Sequence, residues 1–129
     1  IAIGGISMGG YGAYEIARQR PDVFCAIGGH SAANWLVAGD SASGAFDDAE
    51  DFDRHAVVGL AQARGSAPWG QAKLWLDGGD EDPFLLADQA FAEALGIPFR
   101  NAPGGHDGDY WDGRYDEYLR FYASALKRC

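Results

Sequence analysis

The first twenty-one residues, IAIGGISMGGYGAYEIARQRP, constrain the fold of this chain more than any other stretch. Residues 1–6 form a short apolar run rich in isoleucine and bounded by glycine, the pattern of a buried strand. From Gly9 to Arg20 the pattern becomes helical, with Ala13, Ile16 and Ala17 available for one face. Arg18 and Arg20 suit a helix C-terminus, and Pro21 stops the helix. Between the two lies Gly5-Ile6-Ser7-Met8-Gly9, a Gly-x-Ser-x-Gly turn from strand to helix. Such a turn forces the serine into a strained backbone and exposes its hydroxyl at the sheet edge, and glycines two residues to either side are expected to relieve the crowding. A phosphate-binding loop is excluded, because neither glycine-rich phosphate pattern fits these residues.

The remaining chain continues the alternation. VFCAIGG (23–29) and AKLWLDGG (72–79) read as buried strands, and IPFRNAPGG (97–105) contains a fourth. The segment 83–96 reads as a helix, with Pro83 at its first position, Gly96 past its end, and Phe84, Ala87, Phe91, Ala94 and Leu95 as its apolar stripe. A final amphipathic helix is predicted over 112–127, with Tyr115, Tyr118, Leu119, Tyr122 and Leu126 on one side. Strands alternating with helices imply crossover connections and a mainly parallel sheet with flanking helices, the α/β class. The 129 residues suffice for one domain. Residues 34–71 interrupt the rhythm as a lid-like insertion. It holds the stretch DSASGAFDDAEDFD, in which six of fourteen residues are carboxylates, and a short helix near RHAVVGLAQAR.

The order of chemistry-bearing residues along the chain is informative. A serine nucleophile needs a histidine to take its proton and a carboxylate to orient that histidine. In strand-turn-helix sites of this kind the order is serine, acid, histidine, each after a strand. Here Ser7 is followed by DGGDEDPF after the third strand and PGGHDGDYW after the fourth. The acid is expected at Asp82, with Asp80 the second choice; Asp82 also precedes a helix start, where it would serve as an N-cap and compete for the same oxygens. His106 is the expected base. His30 precedes the acid and reads as a residue of the substrate pocket. His55 reads as an incidental histidine on a solvated helix. The N–H of Met8 is the expected oxyanion donor. Trp35 and Trp111 leave strand ends near the site and are candidates for its pocket, whereas Trp75 lies inside a strand and belongs to the core.

Composition narrows the partners. A net charge of −9 argues against nucleic acid or an anionic membrane, and no stretch reaches the length of a membrane span. The acidic run lacks the ligand alternation of a calcium loop, so no metal is expected. Nor is an organic cofactor. Cys25 and Cys129 fit neither a metal spacing nor a disulfide framework and read as a buried and a terminal thiol.

With GISMGGYGA, DGGDEDPF and PGGHDGDYW in place, the chain resembles the α/β-hydrolase superfamily. Within it the likeness is to the esterase group of S-formylglutathione hydrolases (esterase D-like), antigen 85-type mycolyltransferases and feruloyl esterase modules. The resemblance covers essentially the whole chain, with 34–71 the weakest part. It implies Ser7 as nucleophile, Asp82 as acid, His106 as base and Met8 as one oxyanion donor. It also implies hydrolysis of a small-molecule carboxylic ester or thioester through an acyl-enzyme. Acyl transfer to an alcohol, or a prolyl-oligopeptidase-like peptidase activity, would use the same residues. A non-catalytic half-domain is the alternative from another class. Members of the superfamily carry further strands before the serine turn, so the chain resembles the C-terminal half of such an enzyme. The first strand would then be an apolar edge, expected to pair with the missing N-terminal half or with another copy.

Overall fold

A computed structural model describes all residues, 1–129. Four strands form one sheet in the order β1-β2-β3-β4, with every neighbouring pair parallel. They are β1 (Ala2–Ile6), β2 (Ala26–His30), β3 (Lys73–Gly79) and β4 (Phe99–Ala102). The helices are α1 (Met8–Gln19), α2 (Ala49–His55), α3 (Val57–Arg64), α4 (Leu85–Leu95), α5 (Gly108–Asp112) and α6 (Tyr115–Leu126). The α/β class with a parallel sheet and flanking helices is therefore the observed architecture. No helix is long and apolar enough to cross a membrane.

The period of two along each strand sends side chains to two different layers. On one face, Ile27 of β2 and Leu76 of β3 pack with Ala13, Tyr14 and Ala17 of α1, Val57, Val58 and Ala61 of α3, and Phe91 and Leu95 of α4. Trp69 is fully buried there and donates its indole N–H to the Tyr14 carbonyl at 2.8 Å. On the other face lies α6. Gly4 and Gly28 leave the space that the Tyr122 hydroxyl fills, since a Cβ on either would collide with it.

Two expectations are corrected. Residues 34–71 are not a single lid-like insertion. Val57, Val58 and Ala61 place α3 in the main core, as the crossover helix between β2 and β3, while the end of α2 lies against α1, where Arg18 donates to the Arg54 carbonyl and Tyr11 to the His55 carbonyl. The acidic composition around residue 48 hid this, because the apolar face of α3 spans barely two turns. The cysteines are not free thiols either: Cys25 and Cys129 form a disulfide, with Cα atoms 5.7 Å apart and 104 residues between them. Spacing in sequence cannot show this, because α6 brings the last residue back beside the start of β2.

The predicted C-terminal helix over 112–127 is α6, and the short α5 precedes it. Asp107 caps α5 by accepting the Tyr110 N–H at 3.0 Å, and Gly113 separates α5 from α6. Tyr118 turns inward, whereas Tyr115, Leu119 and Leu126 of the predicted stripe remain substantially exposed.

Candidate active site

Ser7 stands between β1 and α1 with φ 56° and ψ −119°, a left-handed backbone costing a non-glycine residue about 1–3 kcal/mol. Four backbone hydrogen bonds hold it there. Its N–H donates to the His30 carbonyl at 3.0 Å, and its own carbonyl accepts from Gly10, Tyr11 and Ala33 at 3.0, 3.2 and 2.9 Å. The glycine requirement differs from the expected pattern. A Cβ on Gly5 would collide with the Gly9 backbone, and one on Gly10 would lie 2.9 Å from the Gly5 carbonyl oxygen, but one on Gly9 would meet nothing. The crowded partner on the helix side is therefore Gly10, with Gly9 offering its bare backbone to Gly5.

The structure brings Ser7, His106 and Asp82 together from three strand ends. The Ser7 hydroxyl lies 2.8 Å from His106 Nε2, and His106 Nδ1 lies 2.9 Å from Asp82 Oδ2. With Asp82 as acceptor, Nδ1 carries the proton and Nε2 is free to accept from the serine. Asp82 is buried, and its two oxygens divide the work: Oδ1 accepts the Phe84 N–H at 2.8 Å while Oδ2 faces the imidazole. The anticipated competition between cap and acid thus does not arise. Asp80 takes another part, accepting the Gly104 N–H at 3.0 Å and so tying down the loop that carries His106.

Aromatic rings enclose the imidazole. Phe84 lies 5.2 Å from the His106 ring on one side, and Trp111 stands edge-on at 5.1 Å on another. Trp111 donates its indole N–H to Ser31 Oγ at 3.0 Å; Ser31 is itself a buried left-handed residue with φ 49° at the end of β2. Trp35 packs on Phe84 at 5.5 Å and on Phe46 at 6.4 Å. Beside it lies a cavity of about 310 Å³ whose lining includes Met8, Tyr11, Ala33, Trp35 and Phe46. Burial, reinforced by Glu15, pushes the Tyr11 hydroxyl up to about 12, so it stays protonated and donates to the His55 carbonyl at 3.0 Å. Met8 opens α1, and a first-turn N–H has no carbonyl of its own helix to bond.

Two histidines depart from expectation. His30 does not join the Ser7 pocket. Its side chain points to the α6 face, 2.7 Å from Asp77 through Nδ1 and 2.8 Å from the Tyr122 hydroxyl through Nε2. The alternation along β2 decides this, since Gly29 faces α1 and its neighbour must face α6. His55 is not incidental, because its Nδ1 lies 3.0 Å from Glu15 and ties the end of α2 to α1.

Sequence reasoning also missed Asp88 and Asn34. Asp88 of α4 is buried, accepts from the Asn34 amide at 2.9 Å, and has its carboxyl pushed well above the ordinary range by that burial. A carboxylate in a helix's first turn ordinarily signals a solvated end, so composition offered no clue. No cluster of three or more His, Cys, Asp or Glu side chains is placed to hold a metal ion.

Comparison with known proteins gives the family and the fold. In solved structures the chain is similar to a ferulic acid esterase, at 27% identity and a TM-score of 0.76, over 96% of this chain and 51% of that one. It is similar to an S-formylglutathione hydrolase from Agrobacterium tumefaciens, at 25% identity and a TM-score of 0.66, over 97% and 49%. A third structure, the S-formylglutathione hydrolase FrmB from Staphylococcus aureus, shares the fold at 24% identity and a TM-score of 0.63, over 92% and 49%. The chain thus spans about half the length of these structures. No curated protein sequence matches it. The family described as "Putative esterase" matches residues 1–120, nearly the whole chain, and the protein belongs to that family.

Proposed function

We propose that this chain carries the reacting residues of a serine esterase that cleaves a small-molecule carboxylic ester or thioester through an acyl-enzyme. The observation that carries the proposal is the line from Ser7 through His106 to Asp82, with both hydrogen bonds under 3 Å and the serine in a strained backbone. Ser7 Oγ attacks the carbonyl carbon as His106 Nε2 takes its proton. Asp82 stabilises the resulting imidazolium, and the Met8 N–H meets the developing oxyanion. His106 then passes the proton to the leaving alcohol or thiol. Water, activated by the same imidazole, releases the acid and restores Ser7.

The names of two neighbours, a ferulic acid esterase and an S-formylglutathione hydrolase, support this substrate class. We assign the cavity beside Met8 and Trp35 to an apolar substituent of the substrate, because its walls are mostly aromatic and aliphatic. The free edge of β1, flanked by the exposed Tyr115 and Leu119, is where we place a further strand. That strand would come from an N-terminal half, which would bring a second oxyanion donor with it, or from another copy. Losing one such donor costs about 10²–10³ in turnover.

The test is intact mass after incubation with a fluorophosphonate. A single adduct, absent from Ser7→Ala, is expected. A folded protein that takes up no label, or a Ser7→Ala variant that takes up as much, would overturn the proposal.

A further inference from the structure

On the α6 side of the sheet lies a polar cluster that the esterase chemistry does not use. Its centre is Asp77 of β3, which is fully buried. The Trp75 indole N–H and His30 Nδ1–H each reach Asp77 Oδ1 at 2.7 Å. The hydroxyls of Tyr110 and Tyr118 reach Oδ2 at 2.8 and 2.7 Å. A carboxylate shielded from water stays charged only where donors replace its hydration. Burial alone would raise the Asp77 carboxyl, but His30, Tyr118 and Tyr110 together hold it below its ordinary value. The two tyrosine hydroxyls are pushed up, first by burial and then by Asp77, so both remain donors.

Of the elements joined at Asp77, α5 adjoins His106. It starts two residues after that histidine and is capped by Asp107. The Tyr110 ring also packs under the loop, where a Cβ on Gly104 would lie 2.9 Å from it. From below, the loop rests on Tyr110. From the side, Asp80 and the Glu81 N–H hold Gly104, the latter bond measuring 2.9 Å. His106 Nε2 must stay within hydrogen-bond reach of Ser7 Oγ, and this support fixes the height of the loop that carries it.

We propose that Asp77, acting through the Tyr110 hydroxyl, is a positioning residue that sets where His106 meets Ser7. The proposal rests on the esterase reading above. It differs from a purely structural role for the cluster in one respect that can be measured. Tyr118 gives Asp77 the same kind of hydrogen bond on the same oxygen, but from α6, which carries no reacting group.

The experiment compares Tyr110→Phe with Tyr118→Phe in the full chain, with p-nitrophenyl acetate as substrate. Tyr110→Phe is expected to lower kcat about 10–10²-fold and to change KM by less than about twofold, the signature of misplaced groups. Tyr118→Phe is expected to lower Tm comparably and leave kcat within about threefold of the parent. A second readout needs no turnover. In proton NMR, the His106 Nδ1–H held by Asp82 should broaden in Tyr110→Phe and stay sharp in Tyr118→Phe. Equal kcat losses in both variants, or an unchanged kcat and resonance in Tyr110→Phe, would overturn the proposal. Failure of the esterase reading shows separately, as turnover that survives Ser7→Ala, and the NMR comparison still decides the position of His106.

Discussion

Asp82 lies 2.9 Å from His106 Nδ1 through one carboxylate oxygen and caps the chain entering α4 through the other, 2.8 Å from the Phe84 N–H. One side chain thus fixes both the tautomer of the imidazole and the path of its own loop. Replacing it by asparagine keeps the shape but allows the amide to face Nδ1 with its N–H. Asp82→Asn is expected to lower kcat for p-nitrophenyl acetate by about 10⁴-fold with the fold intact. Asp80→Asn, which touches only the Gly104 N–H, should lose far less. Similar losses in the two variants would show that the assignment of the acid is wrong.

The serine turn makes a contrasting pair of glycine predictions. Gly5→Ala pushes a methyl group into the Gly9 backbone and should cost about 1–3 kcal/mol or more. Gly9→Ala meets open space inside a helix and should be neutral or stabilising by up to about 1 kcal/mol. Urea midpoints of the two variants check this, and a destabilised Gly9→Ala would mean that the turn is packed differently.

The Cys25–Cys129 disulfide spans 104 residues, so it restricts the unfolded chain strongly. Reduction, or Cys129→Ser, is expected to lower stability by about 2–4 kcal/mol. Denaturant curves with and without dithiothreitol measure the difference. Coincident curves, with the bond shown intact by mass beforehand, would contradict it.

Asp88 sets a pH dependence of opposite sign to that of Asp77. Its folded-state carboxyl is raised by burial, so the native chain holds a proton that the unfolded chain releases. The stability it contributes is fully present below about pH 4 and is lost as pH rises through the raised folded value. Asp77, with a lowered carboxyl, contributes stability that is lost as pH falls. Asp88→Asn should therefore gain Tm over the parent at pH 8, and the gap should close near pH 4. A constant difference across that range would rule out the buried neutral carboxyl.

Wherever the signal was local, the sequence was legible. The strand-turn-helix at Ser7 follows from an apolar run, a glycine-flanked serine and a helical period within twenty residues. The four strands and their parallel order follow from alternation with helices. Asp82 and His106 were legible as candidates because each sits in a glycine-rich loop after a strand, and such loops gather at one sheet edge. The family resemblance rested on the same three segments, which is why it pointed to the family that matches residues 1–120.

The remaining features depend on which surfaces meet across long stretches of chain. His30 faces α6 because of its parity in β2, and its partners Asp77 and Tyr122 lie 47 and 92 residues away. The return of α6 pairs Cys129 with Cys25, and α3 joins the core where Val57, Val58 and Ala61 pack with residues of α1 and α4. Residue types and local periodicity determined which elements form and which side chains carry chemistry. Tertiary packing alone decided which polar groups lose water together, because burial belongs to the assembled layers and not to any one segment.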